Sequence, residues 1–334
     1  MMANNDLSSQ AVVNRVLSQL AVGVRGNQNF VGDQAVPVIP TDSEQVTWPT
    51  FTNEQIQDVT SDVRGLDAEP VEDLLDSISS ASATLDEHMR KGKIDQRRIN
   101  AAQASAGGAA VKNLQLRYVS KVKNRILIGR EKVIAAALMT AGNYGANTSA
   151  GGDWSASATK VRDLVFAKME TIQKATGCFP NRFVLGRKVR RALLQCPDIY
   201  AGRQYVKGGY VSDEDLASFF DLPKATLITG TAVTQTKAAA GKAGTPTSIW
   251  TEDSAALYYA DDSPTEQASD LNPSFAYTIQ LTYPETGTRE KVMTWIDGLF
   301  TRFVYGQTYS TKVTMGGTSG AGWLFTGITG AVAS

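Results

Sequence analysis

Histidine, cysteine and paired carboxylates carry most protein chemistry, and this chain is sparing with the first two. It has one histidine and two cysteines in 334 residues. His88 lies in the charged stretch LDEHMRKGK and reads as a solvated surface residue. A lone histidine excludes metal sites built from several, and the HExxH pattern is absent. A serine triad would have to use His88, yet no nucleophile elbow accompanies it. The nearest attempt, Gly317-Thr318-Ser319-Gly320-Ala321, puts alanine where GxSxG needs its last glycine. Cys178 and Cys196 are too few for a four-cysteine zinc site and are not spaced as a redox CxxC. They read as reduced, packed thiols, with a bridge between them as the alternative.

Phosphate-binding glycine patterns fail in the same way. Gly241-Lys242 is followed by Ala243 and does not complete a P-loop. Gly320-Ala321-Gly322 runs to Phe325 where a dinucleotide fingerprint needs glycine. Ser120 to Lys123 satisfies SxxK without its companion motifs, and Asn147-Thr148-Ser149 is an idle glycosylation acceptor. The expectation is therefore no catalytic residue, no cofactor and no metal. No enzyme is expected.

The elements that position the remaining residues follow from periodicity. Val12, Val13, Val16, Leu17 and Leu20 predict a short amphipathic helix, and AVPVIP a proline-stiffened arm that must lie on something else. Val46-Thr47-Trp48 and Ser82-Ala83-Thr84-Leu85 predict the strands of a long hairpin. Residues 110–140 predict one long helix, with Leu114, Tyr118, Val122, Ile126, Val133 and Ala137 as its apolar stripe. Thirty-one residues span about 46 Å at 1.5 Å each. An α+β unit follows. It has a helix over 157–176 stopped by Gly177, a strand at Phe183–Leu185, a basic helix over 187–196, and a capping box at Ser212/Asp215. A strand at 225–229, a loop over 231–247 and strands at 248–251 and 255–259 complete it. Strands at 275–283, 291–296 and 299–313 then form a sheet against the long helix, and the Gly-rich tail carries Trp323, Leu324 and Phe325 without an obvious local core. Asn14, Arg15, Ser18 and Gln19 break any secretory h-region, and the longest apolar run, 133–139, is far short of a membrane span. A cytoplasmic product with no membrane partner is expected.

In this order of elements the chain resembles the major capsid proteins of tailed bacteriophages, whose fold is shared with encapsulin-type shells. The segment from Asn29 to Pro40 (NFVGDQAVPVIP) is similar to that family's arm motif, and Ala81 to Ala101 to its returning loop strand. The helix before Gly177, with Pro180-Asn181 and Phe183-Val184-Leu185-Gly186, resembles the start of an axial domain, and 275–313 a peripheral sheet. The resemblance implies an α+β capsid fold. Its parts are an N-terminal arm (1–41), an extended β-hairpin loop (42–95), a peripheral domain with a long spine helix (96–150) and β-sheet (266–315), an inserted axial domain (151–265), and a C-terminal extension (316–334). It also implies self-assembly into hexamers and pentamers of an icosahedral head around double-stranded DNA. Scaffolding, portal and cement proteins would be partners, with assembly in the host cytoplasm. The loop of one subunit would overlie its neighbour and the arm would reach across capsomers. Some relatives weld their shells with an isopeptide from a loop lysine; here the first lysine is Lys91, so the excursion 42–87 offers no donor and a non-covalent shell is expected at that position. A nanocompartment shell, another virion protein such as a tail tube, and an α+β enzyme are the rival readings.

The charges sharpen this. The chain carries 33 basic and 33 acidic residues, a net of zero, which argues against a free nucleic-acid binder. The balance is local: 42–87 holds twelve acidic residues and only Arg64, a net of −11, whereas 90–132 holds twelve basic residues against two acidic, a net of +10. Either both are solvated surfaces, or the acidic loop lies on the basic region of the next subunit, or the basic block faces packaged DNA. Candidate intersubunit residues are Phe30, Asp33, Pro37, Trp48, Glu54, Asp58, Asp62, Asp67, Glu69, Arg97 and Arg98. Candidate phosphate contacts are Lys112, Lys121 and Lys123. Tyr118 is the only aromatic in the basic block, so any DNA contact would be to phosphate, not base.

Overall fold

One long helix links two sheets, and the N-terminal arm is laid along that helix. A computed structural model of the chain describes residues 12–23, 26, 28–50, 79–203, 211–222, 226–235, 244–262, 274–314 and 320–329. The first half comprises β1 (Val12–Val13), α1 (Arg15–Val22), α2 (Gly32–Ala35), β2 (Val38–Thr41), β3 (Gln45–Thr50), β4 (Ser79–Thr84), β5 (Asp86–Asp95), α3 (Gln96–Met139) and β6 (Thr148–Ala150). Then come α4 (Val161–Thr176), β7 (Arg182–Leu185), α5 (Arg187–Leu194), α6 (Pro197–Arg203), α7 (Asp213–Phe219), β8 (Leu227–Thr229) and β9 (Val233–Gln235). The chain closes with β10 (Pro246–Ser248), β11 (Ala255–Tyr258), β12 (Ala276–Leu281), β13 (Lys291–Asp297), β14 (Phe300–Val313) and β15 (Gly322–Thr326).

The six-stranded sheet is organised by β14, fourteen residues long. It pairs β5 over residues 300–309 on one edge, and β13 followed by β12 on the other. Strand alternation then gives the sheet two unlike faces. Val292, Phe303 and Tyr305 point to α3 and α1, where Leu17, Ala21, Val119 and Ile126 bury them. Tyr277, Ile279 and Leu281 point the other way, onto Val46, Trp48 and Leu85 of the predicted hairpin. That hairpin pairs Val46 with Ala83 and Trp48 with Ala81. β5, which falls in the stretch assigned to the loop, is thus a strand of this sheet.

Within α3 the backbone breaks at Ala106 and Gly107, the latter at φ +67°, a left-handed conformation that glycine adopts without strain. The break is a reversal. Arg98 donates a hydrogen bond to the Tyr118 hydroxyl at 2.6 Å, whereas a straight helix would hold these residues about 30 Å apart. The second limb, 108–139, is the predicted spine helix; the first, capped by Asp95, is a helix that its sequence, with Ile99 as the one large apolar residue, did not announce. The predicted stripe is met at Leu114, Tyr118, Val122 and Ile126, which lie in or against the core, and needs correction at Val133. The buried face of the spine is Val119, Lys123, Ile126, Arg130, Glu131, Ile134, Ala135 and Leu138, and Val133 is exposed. Charged side chains occupy inward positions, so an apolar count settled on a neighbouring ridge.

The five-stranded sheet runs β6-β15-β11-β7-β8. Phe183, Leu185, Leu257 and Phe325 face α4, α5 and α7, while Val184, Ala256, Tyr258 and Leu324 face the end of the spine helix. The tail is therefore not an extension: β15 is an interior strand of this sheet, and Trp323, Leu324 and Phe325 find their core 66–70 residues upstream, at β11. Residues 231–247 are likewise not all loop, because β9 and β10 pair as a ribbon. Pro197 opens α6 instead of only closing α5, as a residue without an N–H suits a first helical turn. Gly177 ends α4 in the left-handed conformation, and the Ser212/Asp215 capping box is present. Both cysteines are free thiols.

Candidate assembly surfaces

The arm is seated by three charged residues of the spine helix. Lys123 donates to the Ala21 carbonyl at 2.6 Å, the open end of α1, and pairs with Glu290 at 2.8 Å. Arg130 pairs with Asp33 at 2.8 Å, donates to Gln280 at 2.8 Å, and lies over the Tyr309 ring. The Glu131 carboxylate accepts from the backbone N–H of Val31 (3.0 Å) and Gly32 (2.9 Å) and from the Trp250 indole (2.8 Å). A charge taken out of water needs such partners to be tolerated. Burial still pushes the Glu131 pKa up, outweighing the N–H donors that pull it down. The signal in the sequence was there: Lys123, Arg130 and Glu131 are in helical phase with Ile126 and Ile134. Apolar periodicity alone passes over it.

This seating bears on the arm residues expected at a neighbour. Phe30 is half-buried against its own core, and Pro37 precedes β2, which runs parallel to β12 in the same chain. Asp33 is held by Arg130 but keeps an exposed side chain. Trp48 is buried at the hairpin base, with the Lys312 ammonium over its ring, which removes it from the outer surface. Glu54, Asp58, Asp62, Asp67 and Glu69 lie outside the described residues. Arg97 and Arg98 are exposed at the start of α3. The phosphate set also needs correction. Lys112 and Lys121 are exposed, but Lys123 is buried and committed to Glu290 and Ala21, so it has no outward face.

The basic block is thereby divided three ways. Lys123 and Arg130 are interior. Lys91 and Lys93 lie on the hairpin-side face of the large sheet, over the Trp295 and Phe300 rings. Arg117, Lys121, Arg125 and Lys132 stay exposed on the outward side of the spine. Tyr118 gathers Arg98 and Lys121, the second by a cation–π contact at 5.6 Å. His88 is not solvated as expected: it is half-buried and stacked on Tyr309 with ring centroids 4.3 Å apart, and burial lowers its pKa against the opposing pull of Asp86.

Among the described residues, no group of three or more His, Cys, Asp or Glu side chains could hold a metal ion. No helix among them is long and apolar enough to cross a membrane.

No family model and no curated protein matches the chain in sequence. Solved structures do match. A phage-related protein from Bordetella bronchiseptica superposes with a TM-score of 0.70 at 19% identity, covering 95% of this chain and 98% of that one. A chain assigned as a prophage capsid protein of Escherichia coli gives 0.53 at 13% identity, covering 95% and 99%. The virus-like particle of Pyrococcus furiosus gives 0.51 at 10% identity, covering 93% and 97%. The chain has the fold of phage capsid proteins, in which helix and sheet are mixed.

Proposed function

We propose that the protein is the major capsid protein of a tailed phage, assembling into hexamers and pentamers of an icosahedral head around double-stranded DNA. The observation that carries this reading is the match over nearly the whole chain to the prophage capsid protein, 95% of one chain on 99% of the other, and to the Bordetella phage-related protein, 95% on 98%. A match over 95% of the chain extends well beyond any single sheet, so the likeness is to the fold as a whole. Catalysis has no place in it. Scaffolding and portal proteins, and a cement protein, would be its assembly partners in the host cytoplasm, and the packaged genome a non-specific one.

Electron micrographs of the purified chain test the reading. Regular closed particles are expected; a protein that stays monomeric at high concentration across salt conditions would sink it. The weaker match to the virus-like particle, with a TM-score of 0.51, supports a second reading, a nanocompartment shell. The contents of particles from the native source separate the two: DNA for the head, a cargo protein for the compartment.

A further inference from the structure

We propose that the cavity between the arm, the spine helix and the large sheet is a binding site for the hydrogen phosphate ion, with the side-chain oxygen of Gln307 accepting the ion's O–H. The proposal does not depend on how the chain assembles.

The cavity has a volume of about 600 Å³. Asp33 and Pro40 bound it from the arm, Lys123 and Arg130 from the spine helix, and Arg289 and Gln307 from the sheet and its β12–β13 connection. Its charged lining is three cations, Lys123, Arg130 and Arg289, against two carboxylates, Asp33 and Glu290, a net of +1. Both carboxylates are already neutralised, Glu290 by Lys123 and Asp33 by Arg130. Arg289 is the surplus charge. It is exposed at the rim, and no carboxylate among the described residues pairs with it. Arg130 adds donors of its own. Its Nε and Nη2 serve Asp33 and its Nη1 serves Gln280, which uses three of the five N–H groups of a guanidinium. Such a lining favours an anion over a cation.

Gln307 sets what that anion must carry. The residue is 2% exposed. Its Nε2 donates to Glu290 at 3.3 Å and to the Tyr305 hydroxyl at 2.8 Å, whereas its Oε1 has no partner. Turning the amide over would set that oxygen against the Glu290 carboxylate, so the orientation is fixed by its neighbours. A buried acceptor without a donor is costly, and native structures rarely leave one. An anion that fills the cavity must therefore bring an O–H.

Hydrogen phosphate does so. Its bare oxygens suit Arg289 and Arg130, and its one O–H suits Gln307. Sulfate has the same shape and charge but no proton at neutral pH. A nucleic-acid phosphodiester has none either, and a phosphate monoester loses its last proton at about pH 6. A site built to hold a hydroxyl rejects the analogue that lacks one, because its own polar group is then left unpaired. The chemistry selects the free ion.

Calorimetric titration of the full-length chain tests this, at pH 8, in phosphate-free buffer and at constant ionic strength. Phosphate, sulfate and methyl phosphate are each titrated into the wild type, Arg289→Gln and Gln307→Met. Phosphate should bind the wild type saturably, at one site per chain and at least tenfold more tightly than sulfate or methyl phosphate. Arg289→Gln changes an exposed rim residue. It should weaken phosphate at least fivefold while leaving the thermal midpoint of the ion-free chain unchanged. Gln307→Met should bring phosphate down to the level of sulfate; if that variant does not fold, the wild type and Arg289→Gln decide. Absence of saturable phosphate binding would overturn the proposal and mean that water alone meets Gln307. Equal affinity for phosphate and sulfate would overturn it too, reducing the cavity to a general basic cleft. So would an Arg289→Gln chain that binds phosphate as the wild type does.

Discussion

A lysine with 6% of its side chain exposed cannot behave as a surface cation, and Lys123 does not. Its ammonium closes the end of α1 and neutralises Glu290, which also accepts from Gln307 at 3.3 Å. Burial and that neighbouring carboxylate together push the Tyr305 pKa well up, so the whole cluster depends on the ion pair for its balance. Replacing Lys123 by methionine leaves Glu290 buried without a counter-charge. The expected loss is about 3–5 kcal/mol in urea unfolding. Replacing both partners, Lys123→Met with Glu290→Leu, should recover most of it, because two apolar groups leave no orphaned charge. A single variant as stable as the wild type would show that the pair does not carry this load. Arg130 and Glu131 follow the same rule: each is interior, and each is satisfied by the arm.

At the scale of elements, β15 is the clearest case of a segment whose role is set by its partners. It lies between β6 and β11, parallel to the first and antiparallel to the second. Trp323, Leu324 and Phe325 are all buried there. Each such side chain contributes about 1.5–3 kcal/mol, so together they rival the net stability of a domain. A chain ended after Ser319 should therefore lose the sheet around β11 and accumulate as insoluble protein. Soluble truncated protein with native circular dichroism would instead mean that the tail is dispensable. The break at Gly107 makes a related point. It turns 96–105 back along the spine, so Ile99 can pack, with Leu114, Leu116 and Tyr118, against the core cluster of Leu17, Val119, Ile126 and Phe303.

For the whole molecule, neutrality is the informative quantity. A net charge of zero hides −11 on 42–87 and +10 on 90–132. The fold withdraws two of the cations into the interior, puts Lys91 and Lys93 on the hairpin-side face of the large sheet, and leaves a stripe on the spine. Complementary surfaces of this kind set register and partner choice more than raw affinity. Such a shell should also be free of lysine cross-links from the excursion 42–87, since no lysine precedes Lys91. Purified particles boiled in denaturant and reductant should run as one band near 35.8 kDa. A ladder of covalent multimers would contradict that.

Local pattern determined a good deal. The spine limb, the hairpin strands at Val46 and Ala83, the helix ended by Gly177 and the Ser212/Asp215 cap were legible because each is specified by residues within a few turns of one another. What only the tertiary structure decided depends on distant partners. Apolar periodicity does not say which of two adjacent ridges of a helix will be buried when the inner one carries Lys123, Arg130 and Glu131. Composition cannot reveal that a tail is an interior strand when its core lies at Ala255–Tyr258. Nor can a run of basic residues disclose its faces, because burial, not sequence neighbourhood, separates the cations that hold the arm from those that meet solvent.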